Sequence, residues 1–269
     1  FEAQVDSELR YILSDAGAKV CLAANSAVAA RVASLREDLL DLAHVINIEG
    51  AADDPTSFAG LLARGAERAI TPRAPSPTDI ATIIYTSGST GEPKGVRLSH
   101  ANLASNAAAL SEMRDYGSDP RSMAFLPWAH VFGGCVEMNL SLAIGASVAI
   151  CRNADQLFEE MPRIRPTTLY AVPRIWQQIY HDIQRELSRE PEMSRNMFEQ
   201  GLRLLAKQES GQPLRLSEKM LLNFSEKLVI NKVKARLGGR LRLAFSGAAA
   251  LPVDTAEFLR KIGVIIHEG

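Results

Sequence analysis

The chain has 269 residues, 46% of them hydrophobic, enough to bury a sizeable core in one large domain or two packed lobes. Its 30 Lys and Arg against 31 Asp and Glu leave a formal charge of −1, which excludes a global field drawing it to nucleic acid or to an anionic membrane. Three widely spaced cysteines, Cys21, Cys135 and Cys151, with no C-x-x-C, argue against a disulfide framework or a zinc site and fit a reducing cytoplasm.

Segments of helical and strand period alternate along the chain, which predicts an α/β fold. "DSELRYILSDAG" reads as a helix capped by Asp6 or Ser7 and stopped at Gly17, and "AKVCLA" as a buried strand. "SAVAARVASLREDLLDL" is a helix, "HVINI" a strand and "TSFAGLLARGAERA" a further helix, followed by the proline-rich connector "ITPRAPSPTD". "IATIIY" is a short β-branched strand, "GVRLSH" another, and Ser99 caps the helix "HANLASNAAALSEMRDY". Then come strand "SMAFLP", helix "HVFGGCVEMNLSLAIG", strand "ASVAIC", helix "DQLFEEMPRI" and strand "TTLYAV". From Pro173 to about Leu237 the chain stays helical. Ile175, Ile179, Ile183 and Leu187 recur every four residues, as do Met220, Phe224 and Leu228, and Ile175, Ile179 and Ile183 read most simply as a core stripe. Strand "LRLAFS", helix "PVDTAEFLRKIG" and strand "VIIH" close the chain. The apolar stretches carry Glu, Asn and Gly, so no spanning helix and no signal peptide is expected.

Between the two β-branched strands lies "YTSGSTGEPKG", residues 85–95. Gly88, Gly91 and Gly95 lack a Cβ, so the backbone can take positive φ and approach a phosphate closely. Thr86, Ser87, Ser89 and Thr90 each offer a hydroxyl hydrogen, and Lys94 adds a point charge. A solvated glycine–serine loop is the plain alternative. A Walker loop needs G-x-x-x-x-G-K-[ST]; counted from Gly88, Pro93 stands where the second Gly belongs and Gly95 where the hydroxyl belongs, so that reading fails.

The longer string "IIYTSGSTGEPKGVRLSHANL" resembles the phosphate-loop signature of the adenylate-forming (AMP-binding) superfamily of acyl- and aryl-CoA synthetases, luciferases and peptide-synthetase adenylation domains. "FLPWAHVFGG" is similar to that family's Leu-Pro-x-x-His element, which makes Trp128 and His130 walls or gates of an acyl site. Long-chain members usually carry an acid near Gly133, so the detailed shape of this site is expected to differ, and packing alone also explains Trp128 and Phe132. "RLRLAFSGAAALPVDTAEFLRKIGVIIHEG" resembles the adenine-binding region, so Gly247, Ala248 and Ala249 would seat the purine beside Glu268 and Gly269; Ala250 replaces a usual Pro.

The resemblance implies the large N-terminal domain of the synthetase fold, with mixed β-sheets flanked by helices. It runs over essentially the whole chain, while residues 1–269 would make up only part of that core domain. In relatives "EG" leads into Tyr-Gly-x-Thr-Glu, so the adenine-stacking Tyr, the magnesium-binding Glu and the mobile domain with its lysine are expected beyond Gly269. The fragment alone is therefore expected to be inactive. The long helical insertion opening with "VPRIWQQIY" is similar to that of long-chain fatty acid–CoA ligases and sets Val172, Pro173 and Arg174 near an acyl tunnel mouth.

The implied reaction joins a long-chain fatty acid to CoA through acyl-AMP, with ATP, Mg2+ and CoA as cofactor and co-substrates. Thr86, Lys94 and His130 would be the catalytic set, and residues 86–91 with Lys94 would hold the phosphates. Rival readings are a fatty acyl-AMP ligase loading a carrier protein, and a nucleotide-binding module without turnover. The basic set Lys227, Lys232, Lys234, Arg236, Arg240 and Arg242 could touch a membrane surface, though a solvated face is the simpler account.

Overall fold

The computed structural model describes residues 4–68, 70–86, 91–151 and 154–269, and of Glu209 the backbone alone. It divides into two compact units, residues 1–102 and 103–269. The fold is α/β, with sheets flanked by helices.

The first unit opens with α1 (Asp6–Asp15), β1 (Val20–Ala23), α2 (Ser26–Ser34), β2 (His44–Asn47) and α3 (Phe58–Ala66). Strands β1 and β2 pair in parallel, Val20 opposite His44, with α2 as their crossover. Asn25 caps α2 by accepting from the Val28 N–H at 3.0 Å, and Ser57 caps α3 by accepting from Gly60 N–H at 2.8 Å. At α1 neither expected cap is used. Val5 takes the cap position, and the Asp6 carboxylate instead accepts from Arg31 Nε at 2.6 Å. The second expected helix stops at Ser34 and gives way to a tight turn over Arg36–Asp38. That turn lets Leu35, Leu39 and Leu42 join Leu9 and Val32 in one buried cluster. Strand β1 is not buried as its apolar sequence suggests. Cys21 packs on the leucine cluster, whereas Val20 and Leu22, on the opposite face of a two-stranded sheet, are exposed.

The chain then forms β3 (Ile80–Thr86) and β4 (Lys94–Ser99), an antiparallel hairpin. At its end Ser99 and Asn102 cap α4 (His100–Met113) reciprocally: Ser99 Oγ accepts from Asn102 N–H at 3.2 Å, and Asn102 Oδ1 accepts from Ser99 N–H at 3.0 Å.

The second unit carries a five-stranded sheet of β5 (Arg121–Ala124), β6 (Ser147–Ile150), β7 (Thr168–Ala171), β8 (Leu243–Ser246) and β9 (Ile265–Glu268) in the order β6-β5-β7-β8-β9. All four pairings are parallel. Strands β7 and β8 are buried at every position, as central strands of a covered parallel sheet should be. Each strand is preceded by a residue in the left-handed region: Gly117, Gly145, Arg165, Gly238 and Gly263 before β5 to β9. These residues stop the chain from continuing as helix and turn it into the sheet.

Helices α5 (Asn139–Ala143), α6 (Leu157–Ile164) and α11 (Val253–Lys261) connect the strands. The long excursion between β7 and β8 consists of α7 (Pro173–Arg189), α8 (Glu192–Glu209), α9 (Leu216–Ser225) and α10 (Asn231–Arg236). Pro173 opens α7 at its first position, where a missing N–H costs nothing. Trp176, Ile179, Ile183 and Leu187 make its buried stripe, and the Trp176 indole N–H reaches the Ala171 carbonyl at 3.2 Å and that of Phe245 at 3.4 Å. The other four-residue row faces outward: Met220, Phe224 and Leu228 are exposed, while Leu222, Ser225, Val229 and Ile230 hold the core side. Gly201 fixes this orientation, because a Cβ there would collide with Ser225 Oγ, which donates to the Met197 carbonyl at 2.8 Å. No helix among the described residues is long and apolar enough to cross a membrane.

Candidate functional site

In the first unit the hairpin brings two predicted residues together. Thr86 ends β3, Lys94 begins β4, and the two are register partners, both exposed. Ser87, Gly88, Ser89 and Thr90 lie outside the described residues. Gly91 takes φ +112° with open space where a Cβ would be, a conformation suited to glycine. Gly95 has a different use from the one its motif suggests. It is a strand residue without positive φ, and a Cβ on it would stand 3.0 Å from Ile83 Cγ2 and from Tyr85 Cζ. The Tyr85 ring therefore lies across Gly95, and its hydroxyl donates to Asp15 Oδ2 at 2.6 Å. Loss of water contact, then that bond and the Asp15 charge, push the Tyr85 hydroxyl up to about 12. Lys94 enters no ion pair among the described residues, so its ammonium is available to an anion.

The second unit holds a cavity of about 320 Å³ at the carboxyl ends of β8 and β9, where parallel sheets characteristically bind ligands. His130, Phe132 and Val136 line one side, Ser246, Gly247 and Ala248 another, and Glu268 and Gly269 a third. Five predicted residues, His130, Gly247, Ala248, Glu268 and Gly269, thus meet at one place. Trp128 and Ala249 are exposed and outside the lining. Val172, Pro173 and Arg174 stand at the start of α7, with Pro173 buried and Arg174 exposed, and do not line the cavity either.

Backbone conformation shapes the cavity. A Cβ on Gly247 would stand 3.3 Å from both the Gly269 carbonyl oxygen and Phe132 Cζ, so only glycine lets these surfaces approach. Ala248 takes φ +73°, a left-handed conformation disfavoured for a residue with a Cβ. Gly269 N–H donates to the Ser246 carbonyl at 3.0 Å, and Glu268 Oε2 accepts from Leu251 N–H at 3.2 Å. The Ser246 hydroxyl is buried in the lining without a partner among the described residues. A hydroxyl left so in native protein is a candidate for bonding a ligand.

Residues 132–138 form a π turn rather than the expected regular helix. Gly133 and Gly134 cause it: a Cβ on Gly133 would fall 2.5 Å from the Pro127 carbonyl oxygen, and one on Gly134 would strike that of Trp128. Such turns cluster at functional sites. Here the turn presents Phe132 and Val136 to the cavity while Glu137 is fully buried on the other side. Ser122 Oγ donates to Glu137 Oε1 at 2.5 Å, and Oε2 has no partner among the described residues. Burial pushes the Glu137 carboxyl up to about 7, against the pull of the Ser122 bond.

Several contacts of the lining with residues behind it escaped the motifs. Tyr170 stacks on Phe245 with ring centroids 4.9 Å apart and meets Phe132 edge-on at 6.4 Å, an aromatic wall assembled from three separate segments. Arg114 Nε donates to His267 Nε2 at 3.0 Å across 153 positions of sequence. Burial, then the Arg114 charge, lower the His267 imidazole from its usual value. At His130, Nδ1 accepts from the Phe132 N–H at 3.2 Å, and Nε2 has no partner among the described residues. No group of three or more His, Cys, Asp or Glu that could hold a metal occurs among the described residues.

Comparison with known proteins gives a consistent result. The family profile described as AMP-binding enzyme matches residues 2–269. Long chain acyl-CoA synthetase 7, peroxisomal, of Arabidopsis thaliana is 33% identical over 215 residues, 79% of this chain and 30% of that protein. Fatty acyl-CoA synthetase A of Dictyostelium discoideum is 36% identical over 189 residues, 69% of this chain and 27% of that protein. Among solved structures, the adenylation domain of a carboxylate reductase from Mycobacterium chelonae superposes with a TM-score of 0.72 at 20% identity, over 99% of this chain and 41% of that one. The chain spans about a third or less of the length of these curated relatives.

Proposed function

Because the chain belongs to the AMP-binding enzyme family, we propose that its protein activates a long-chain fatty acid with ATP and passes it to CoA. The fatty carboxylate attacks the α-phosphate of ATP, releasing pyrophosphate and forming acyl-AMP. The CoA thiol then attacks the acyl carbon, forming the thioester, and AMP departs. The barrier is that of bringing two anions together and stabilising a leaving pyrophosphate, so placed donors matter more than a protein nucleophile.

The observation that carries this reading is the in-register pair Thr86 and Lys94, a hydroxyl and an ammonium that enters no ion pair among the described residues. We assign residues 86–91 and Lys94 to the outer phosphates, Gly247, Ala248 and Ala249 with Glu268 and Gly269 to the adenine end, and His130 with Trp128 to the acid. Val172, Pro173 and Arg174 keep their assignment near the acyl entrance. Magnesium would arrive with the nucleotide's phosphates; the described residues offer no ligand set of their own, and no step is routed through it. Cys21, Cys135 and Cys151, which form no disulfide among the described residues, suit a cytoplasmic setting.

The test is pyrophosphate exchange by the whole protein carrying Thr86→Ala and Lys94→Ala. Loss of donors to a leaving phosphate should slow adenylation by roughly 100-fold or more; exchange near the unmodified rate would refute the phosphate assignment. Supplying CoA or a holo-carrier protein, with acids of graded length, identifies the acceptor and the preferred chain.

A further inference from the structure

The helical excursion leaves one apolar line uncovered. Along α9 and the π turn of Glu226–Ile230 that follows it, Leu216 is 77% exposed, Met220 67%, Phe224 55% and Leu228 41%. Their spacing of four sets them in a row on one side of the helix. A surface helix normally turns such a row inward. Here the inward side already belongs to Leu222, Ser225, Val229 and Ile230.

Cations predominate along the row. Lys219, Lys227 and Lys232 are exposed and enter no ion pair among the described residues. Of the acids nearby, Glu218 is held by Lys207 at 2.7 Å and Glu186 by Arg236, which leaves Glu226 and, beside Lys232, Glu190 against three lysines. Other cations of this region are engaged elsewhere: Arg236 with Glu186 at 2.7 Å, and Arg240 with Asp119 at 2.8 Å. Beyond the row, Leu228 and Lys232 line a cavity of about 230 Å³ together with Ile183, Leu187 and Val233 and with the charged Glu186, Glu190 and Arg236, so some apolar surface continues inward from the end of the stripe.

We propose that this stripe docks on an anionic lipid surface, with Met220 and Phe224 in the boundary between head groups and acyl chains and the lysines at the level of the lipid phosphates. A row of Leu, Met and Phe bordered by lysines is the composition of a helix that lies in a charged bilayer interface. A bilayer offers an apolar layer and dense negative charge together, which matches the two properties of this face at once. The inference stands on that face alone and does not depend on the acid-activating chemistry.

The experiment is co-sedimentation of the whole protein with vesicles of phosphatidylcholine, and of phosphatidylcholine mixed with phosphatidylglycerol. Binding is expected to the mixed vesicles only, and should weaken with salt. Met220→Ser with Phe224→Ser should lower it about tenfold or more, as should Lys219→Glu with Lys227→Glu, whereas Leu40→Ser, an exposed leucine elsewhere, should leave it unchanged. Phe224→Trp should shift its emission to the blue on mixed vesicles. If another part of the whole protein or a second copy covers the stripe, neither vesicle binds and no shift occurs, which overturns the proposal. Equal binding by the Met220→Ser, Phe224→Ser protein overturns it too.

Discussion

At the mouth of the β3–β4 hairpin, Thr86 and Lys94 face solvent, and what they can hold depends on two backbone ends kept in register. In the second unit the cavity depends on depth: an aromatic wall of Phe132, Tyr170 and Phe245, a buried carboxyl behind the π turn, and an indole tying two strand ends from below. An open anchor can be altered without disturbing its fold, whereas an enclosed one shares its atoms with the core. Substitutions should therefore separate the two regions by how much stability they change.

Trp176→Ala should have the largest effect. It deletes a fully buried indole and both of its carbonyl bonds, and should cost about 3–5 kcal/mol in chemical denaturation. Glu137→Gln comes next, with a dependence on pH. The folded carboxyl keeps its proton up to about pH 7, whereas the unfolded one releases it near 4.5. The folded state thus binds more protons between those values, and its stability falls as pH rises through that window, by an amount on the order of 3 kcal/mol. Glutamine can still accept from Ser122 and has no proton to lose, so the variant should lack this decline when unfolding is measured at pH 5 and pH 7.5. An unchanged profile would mean that Glu137 is not the group responsible.

Gly247→Val should cost about 1–3 kcal/mol by overpacking, since its Cβ already meets Phe132 and the Gly269 carbonyl. It should also raise KM for nucleotide and acid together in steady-state kinetics. Lys94→Ala should move stability by less than about 0.5 kcal/mol while still impairing adenylation. A large loss of stability at Lys94, or none at Gly247, would erase the contrast between the two regions.

Much of this architecture is legible locally. The β-branched runs, the Ser99 cap, the glycine stops and Pro173 at the start of α7 each act through their own backbone, so the sequence shows them. The register of Thr86 with Lys94 belongs to the ladder between two strands and not to the pattern of either run. The π turn was not legible, because its cause is the approach of the Pro127 and Trp128 carbonyls to Gly133 and Gly134, a fact of packing rather than of period. The same holds for Arg114 and His267, 153 positions apart. Met220, Phe224 and Leu228 look like core by spacing alone. Which side of α9 faces inward is decided by Gly201 and Ser225, and no hydrophobic count can read that.

The left-handed residues that precede β5 to β9 sit at the amino ends of the strands. At the carboxyl ends, among the described residues, only Ala248 does the same, and it borders the cavity. Folding instructions and ligand chemistry therefore occupy opposite rims of one sheet. An insertion, tag or reporter grafted among the glycine turns would test the scaffold and spare the pocket, whereas diversifying the far rim would change recognition on a frame that already knows how to assemble.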